Sequence, residues 1–344
     1  MENQEAPMTV TVPFEFSGRA GEYFKIWIVN ILLTFLTLGI YSAWAKVRTR
    51  RYFYGNTFLQ DSSFEYLADP LKILKGRLIV FGFFVLYAIA TTITVAAGAL
   101  FGLFFLLIFP WVFVQALAFN ARNSSYRNIR FDFNASYGRA AGVFIGGGVL
   151  AALTLGLGYP YLVYLRSKFV VGNSGYGGTP FAFSARAANF YRVYLVAFVG
   201  MALAIGLFWV LLMQQAAGAG PEELMTSGWL AVILFYLSLG LVMVYLQTSI
   251  TNLVWSNAHL GDHRFESTLR TPQMLWIHVS NTIAIVLSVG LLIPWATIRK
   301  VRYRLENLKL LAAGDLDDFV AGEQETVAAA GGEIADFFDF DLGI

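Results

Sequence analysis

Histidines are the first side chains in this sequence that could do chemistry, and two of the three are spaced for it. His259 and His263 lie four apart, with Asp262 between them and Glu266 nearby. On a helix, that spacing turns both imidazoles to one face, where they could hold a metal. Gly261 intervenes in a stretch that reads as a turn, so no metal or cofactor site is expected there. His278, early in the last apolar stretch, suits a polar cap at headgroup level better than a proton relay. Cysteine is absent, which excludes disulfides, thiolate nucleophiles and zinc–thiolate sites. Catalysis needs a titratable group held beside a partner, and the long apolar stretches contain no Asp, Glu, Lys or Arg. No catalytic residue is expected, and the chain reads as a non-enzyme.

Two other patterns invite chemistry. Gly138, Gly142 and Gly146, with Gly147 and Gly148, look at first like a phosphate loop. No Lys-Ser or Lys-Thr follows, and small residues at every fourth position let helices approach closely in lipid. The cations are more telling. Lys46, Arg48, Arg50 and Arg51 follow Trp44, and Arg299, Lys300, Arg302 and Arg304 follow Trp295. Trp44, Arg48, Arg50, Arg51, Trp295, Arg299 and Arg302 are therefore candidate contacts for anionic lipid headgroups, each cation near a membrane surface being worth about 1 kcal/mol. Setting the orientation of the chain is an equally good use for them. Nucleic acid is not an expected partner, because no soluble basic domain accompanies the clusters.

These residues must be positioned by elements that live in lipid. Of 344 residues, 57% are hydrophobic and only 13% charged, with a mean hydropathy of +0.61; a soluble domain carries about 25% charged residues. A bilayer core of about 30 Å needs roughly 20 apolar residues in a helix. Charge-free windows of 20 residues between Lys25 and Lys46, 44 between Arg77 and Arg122, 26 between Arg139 and Arg166, 29 between Arg192 and Glu222, 38 between Glu223 and Asp262, and 28 between Arg270 and Arg299 predict seven spans. Trp27, Trp44, Trp229, Trp255, Trp276 and Trp295 fall near the expected span ends, as an aromatic belt would. The amino terminus carries no basic segment followed by an apolar run, so no cleavable signal peptide is expected.

A fixed spacing organises the chain. Asn is followed eight positions later by Phe at Asn56/Phe64, Asn123/Phe131, Asn173/Phe181 and Asn257/Phe265. A 42-position interval separates Phe14 from Asn56, Phe131 from Asn173 and Phe265 from Asn307, and each interval holds a glycine in register: Gly39, Gly156 and Gly290. The pattern divides the chain into a tail (1–13), a membrane domain (14–310) with blocks 14–56, 64–123, 131–173, 181–257 and 265–307, and an acidic, disordered tail (311–344). The first, third and fifth blocks are expected to cross once and the others twice, in an A-B-A-B-A order. The joints place turn residues between short aromatic or β-branched stretches, which predicts small β-hairpins at the membrane surface. The fold class expected is all-α and polytopic.

Three crossings per A–B unit would invert successive units, as in many transporters. On that reading one face carries 16 Lys or Arg and the other 8, which puts the first face and the C-terminus in the cytoplasm. A rival topology makes each A block re-entrant, with every joint on one face; the sparse charge of the middle copy speaks against it.

The string Phe14-x-Phe16-x-Gly18, then Thr37-Leu38-Gly39-Ile40-Tyr41-Ser42-Ala43-Trp44-Ala45-Lys46-Val47-Arg48-Thr49-Arg50-Arg51-Tyr52-Phe53, then Asn56-Thr57, resembles the YjgN-like family of bacterial inner-membrane proteins over roughly residues 10–310. That resemblance implies a multi-pass inner-membrane location and no reaction, since the function of the family is undefined. Tyr161 stands where the other copies have Trp44 and Trp295, and few arginines follow it. The tail, ending in Asp336-Phe337-Phe338-Asp339-Phe340-Asp341, reads either as plain solvation or as a segment that docks on the basic face or on a protein partner. Membrane lipids are the expected partner, with lipid handling or the organising of partners as the task. A transporter or channel for a small neutral or anionic solute, lined by Asn30, Asn281, Thr34 and Thr154, is the alternative.

Overall fold

The computed structural model describes residues 9–216 and 221–330. The first described segment is a strand because it alternates: Val12, Phe14 and Phe16 are buried, while Thr11, Pro13 and Glu15 are exposed. Five pairs of strands each enclose a helical hairpin. The first unit is β1 (Thr9–Phe16), α1 (Ala20–Leu36), α2 (Ser42–Gly55) and β2 (Thr57–Leu59). Next come β3 (Ser62–Tyr66), α3 (Pro70–Ile93), α4 (Val95–Arg122) and β4 (Ser124–Tyr126). The third unit is β5 (Ile129–Phe133), α5 (Tyr137–Ala141), a wider π turn over Gly142–Gly146, α6 (Gly147–Leu153), α7 (Tyr159–Val171) and β6 (Ser174–Tyr176). The fourth is β7 (Thr179–Phe183), α8 (Ala187–Ala216), α9 (Pro221–Trp255) and β8 (Ala258–Leu260). The fifth is β9 (His263–Ser267), α10 (Thr271–Leu287), α11 (Ile293–Glu306) and β10 (Leu308–Ala313), followed by α12 (Leu316–Ala330).

The strands pair antiparallel in chain order, and β10 returns to β1, so they close a barrel. Successive units meet through tight hairpins with left-handed turn residues: Gln60-Asp61, Arg127-Asn128, Gly177 and Gly261. All four hairpins lie at one end of the barrel, and all five helical hairpins leave from the other. The all-α, seven-span expectation is therefore overturned: the joints are a continuous closed sheet, and no unit is inverted.

The error lies in the A blocks. Their apolar windows are long enough for one crossing, but the chain reverses midway. Leu38-Gly39, Leu155-Gly156 and Val289-Gly290 all adopt positive φ, near 50° and then 90°. At the first bend Gly39 N–H donates to Thr34 O at 2.8 Å, and Tyr41 N–H donates to the Thr37 hydroxyl at 2.9 Å. Gly156 donates to Ala151 O and Gly158 to the Thr154 hydroxyl, while Gly290 donates to Ile285 O and Leu292 to the Ser288 hydroxyl. Each bend thus satisfies its own backbone, which irregular chain in hydrocarbon must do. Leu38 and Leu155 are each 95% exposed and Val289 92%, so the tips present bare apolar side chains. Of the described helices, Pro70–Ile93, Val95–Arg122, Ala187–Met213 and Gly228–Trp255 are long and apolar enough to cross a membrane. Two long hairpins can span, and three short ones can only dip.

The repeated Asn and Phe have defined places. Asn56, Asn123, Asn173, Asn257 and Asn307 follow the returning helix of each hairpin, and each carboxamide donates to the carbonyl four residues back, at 2.6–2.8 Å. Their own carbonyls accept from Ser17, Leu67, Asn134, Ser184 and Thr268, just past the paired strand. Phe14, Phe64, Phe131, Phe181 and Phe265 line the barrel interior, with ring centres 6.1–6.4 Å apart at Phe14–Phe64, Phe64–Phe131 and Phe181–Phe265. Of the tail expected to be disordered, residues 316–330 form α12, which lies across the turn end of the barrel. Leu316 and Val320 are buried there, and the terminal acidic-aromatic stretch falls outside the described residues.

Candidate functional site

Every Lys and Arg lies on a strand or within about three helical turns of one. Arg19, Lys25, Arg166, Lys168, Arg186, Arg192, Arg264 and Arg270, the eight expected on the opposite face, return to the barrel side because their hairpins fold back. The result is a cationic layer between the barrel and the apolar upper parts of the helices.

Within that layer, a groove of about 680 Å³ runs between α1 and α2, lined by Trp27, Asn30, Thr34, Ser42, Lys46, Thr49 and Arg50. Burial holds the pKa of Lys46 below the ordinary lysine value, and the nearby cations Arg50 and Arg77 push it the same way. Arg77 donates to the Ser42 hydroxyl at the groove's rim. Like charges crowded in a partly desolvated groove raise the cost of being empty and favour an anion. Sequence reasoning missed Lys46 and Arg77 as members of one site. Their proximity comes from α2 packing on α3, which nothing in their spacing reports.

A second groove, of about 440 Å³, lies between hairpin five and the start of α1. Trp295, Arg299, Arg302 and Tyr303 line it together with Arg19 and Glu306. Arg299 sits 5.3 Å from the Trp295 ring centre and donates to Ser280 Oγ at 2.6 Å and Asn281 Oδ1 at 3.2 Å. Arg302 donates to Gly18 O at 2.8 Å, joining the last hairpin to the first strand's exit.

Not all the expected cations are free to bind lipid. Arg50 stacks 5.0 Å from the Tyr66 ring centre and donates to Tyr66 Oη at 2.9 Å and to Asn120 Oδ1. Arg51 donates to the carbonyls of Tyr66 and Ala68 at 3.2 and 3.4 Å. Both tie α2 to β3. Trp44 packs into the apolar cluster around Ala43, Val47 and Phe119, away from the groove. Arg48 is exposed. Of the polar residues expected to line a solute path, Asn30 and Thr34 line the first groove, and three of the four also make bonds within their hairpins. Asn30 donates to Thr49 Oγ1 at 3.3 Å and Asn281 to Ala296 O at 3.0 Å, holding hairpin helices together, and Thr154 closes its bend.

The two spaced histidines face opposite sides of the barrel wall. His259 bonds Ser184 Oγ at 2.8 Å on one side, whereas His263 is buried and accepts from Ala313 N–H at 3.2 Å. Strand alternation, not helical spacing, decides their directions, and they cannot share an ion. His278 leaves Nε2 buried without a partner among the described residues. Burial lowers the His263 pKa, and Asp262 opposes that shift. The folded pKa is depressed, so between it and the ordinary imidazole value of about 6.5 the unfolded chain binds more protons. Stability is therefore expected to fall as pH drops below about 6.5 and to be flat above it. Thermal unfolding at pH 7.5 and 5.5 checks this: the loss should be smaller in His263→Gln, and equal losses would remove His263 as the cause.

A family model described as a bacterial protein of unknown function (DUF898) matches residues 11–337. The chain belongs to this family. Within DUF898 terms the match takes in the barrel, all five helical hairpins and α12. The inner membrane protein YjgN of Salmonella typhimurium is 38% identical over 120 residues, covering 34% of this chain and 30% of that protein. YjgN of Escherichia coli strain K12 is 32% identical over 123 residues, with the same coverage. The matched stretch thus spans under a third of each relative's length. No solved structure matches the chain.

Proposed function

We propose that this protein is a multi-pass protein of the bacterial inner membrane that holds anionic lipid headgroups in its cationic layer, without catalysing a reaction. The observation that carries the reading is the crowding of Lys46, Arg50 and Arg77 around an open groove at the level where apolar helix surface begins. Trp27 and Trp295 beside the two grooves are the residue type that favours that level. The relatives named as inner membrane proteins, and the four apolar helices, support the address.

Binding is tested with the purified full chain in nanodiscs of mixed phosphatidylglycerol and phosphatidylcholine. Lys46→Gln with Arg48→Gln removes two cations, neither of which holds a strand in place. At about 1 kcal/mol each, the enrichment of phosphatidylglycerol should fall about 30-fold. Unchanged enrichment would remove the reading.

The cations all lying on the barrel side supports a cytoplasmic barrel, with the ends of β1 and β10 there too, by the positive-inside rule. A reporter active only in the cytoplasm, fused after residue 344, should be active; one active only in the periplasm should be silent. The reverse pattern would turn the molecule over.

A further inference from the structure

The interior of the barrel is hollow. Eight strands make a barrel that side chains just fill, and ten leave space. The space here is about 440 Å³, ringed by the five phenylalanines already described. Its two ends differ. Ala121, Val171 and Trp255, from the last turns of α4, α7 and α9, line the end from which the helices rise. Leu316, Phe319 and Val320 of α12 form the floor at the turn end.

The polar atoms bordering the space are largely engaged. Tyr126 donates to Leu59 O at 2.6 Å, Tyr176 donates to Tyr126 O at 3.0 Å, and His263 Nδ1 accepts from Ala313. The exception is Asp132, whose Oδ1 is buried without a partner among the described residues and lies against Gly175, where the missing Cβ makes room for the carboxylate. A polar ligand entering the lumen would exchange its hydration for few new hydrogen bonds, which is unfavourable. An alkyl chain gives up no hydration of that kind and gains contact with the aromatic rings.

The floor is held at its rim. Glu323 is buried and accepts from Gly178 N–H and the Thr179 hydroxyl, and Asp317 pairs with Arg127. A Cβ at Gly177 would stand 2.3 Å from the Glu323 carboxylate, so glycine is what lets α12 seat. Phe319 meets His263 edge-on at 4.5 Å and Tyr176 at 6.4 Å. The floor is therefore attached by α12 alone, while the wall closes through β1 and β10 without it.

We propose that the barrel lumen binds one acyl chain of a membrane lipid, which enters from the helix end and is stopped by α12. The site is separate from the headgroup grooves but shares their reading of lipid as the ligand, so its test must fail independently of theirs. The full chain in nanodiscs is loaded with phosphatidylglycerol bearing a diazirine at the end of one acyl chain, irradiated, and mapped by peptide mass spectrometry. Adducts are expected on Phe64, Phe131 or Phe181, beside those on the outward Leu203 and Leu237. Ala258, buried and facing the lumen, gives the filling variant Ala258→Phe, which should cut lumen adducts at least five-fold and leave the outward ones unchanged. Repeating the wild-type labelling with phosphatidylcholine carrying the same chain separates the two sites: lumen adducts should persist even where headgroup selectivity is lost. Should Ala258→Phe not fold, the wild-type map decides alone. Adducts confined to outward helix faces would overturn the proposal and leave the headgroup reading standing.

Discussion

Phe119→Ala is expected to lower the stability of the purified protein by about 3–5 kcal/mol. Phe119 is fully buried one turn before the end of α4 and packs against Ala43 and Val47 of α2, Tyr66 of β3, Ala68, and Ile73 of α3. It therefore fastens the first helical hairpin to the second and both to the barrel. Its carbonyl also receives the Asn123 carboxamide at 2.7 Å, so the last turn of α4 cannot relax freely into the void. Phe104 on the same helix is 42% exposed and meets the Phe83 ring of α3 at 5.9 Å, so its truncation removes fewer protein contacts than that of the fully buried Phe119 and should cost less. Chemical denaturation of the two variants side by side makes the comparison. Similar losses from Phe104→Ala and Phe119→Ala would mean that the junction is not where the structure places it.

Gly39→Val should be as damaging for a different reason. A valine Cβ at Gly39 would touch nothing within 4 Å, so crowding is not the issue. The backbone is: φ is +94° there, outside what a β-branched residue adopts without strain. Relaxing the strain means giving up the Gly39 N–H bond to Thr34 O, and an unpaired backbone group in hydrocarbon costs several kcal/mol. Gly156 at +90° also meets only open space, so Gly156→Val should behave alike, whereas Gly148→Val, in ordinary helix with nothing near, should be mild. Protease susceptibility of membrane-inserted protein reads the outcome. Tolerance of Gly39→Val and Gly156→Val would mean that the bends can adopt another shape.

The same bends explain how far the sequence could be read. The Asn-to-Phe interval of eight was visible because it spans four pieces of fixed length: the helix-capping carboxamide, the short strand, the two-residue turn, and the next strand up to its inward ring. Phe14 and Asn307 complete the set at the ends, giving five of each. What the spacing could not convey was parity. Twenty charge-free residues between Lys25 and Lys46 match one crossing by length, and only the left-handed pair at Leu38-Gly39 turns them into an entry and an exit. Once each block returns to its own side, all five phenylalanines share one level and can form a ring. Barrel closure was not legible either, since the contact of β1 with β10 joins segments with no local signal for each other. The cationic site was half legible: Arg48, Arg299 and Arg302 were read from clustering, but Arg50 and Arg51 anchor a strand, and Lys46 with Arg77 meet only through packing.

Because the sheet is sealed by its first and last strands, its assembly order is constrained. Val10 pairs with Ala312 and Val12 with Leu310, so no intermediate length of nascent chain can complete the ring. Until residues near 313 emerge, β1 keeps one flank unpaired, and an unpaired strand flank is a template for joining with other chains. Hairpins already anchored in the bilayer would hold the waiting strands at a common height and shorten the search for closure. A chain cut before β10 should consequently be membrane-bound yet prone to sticking to its own copies, a liability that the full-length ring removes.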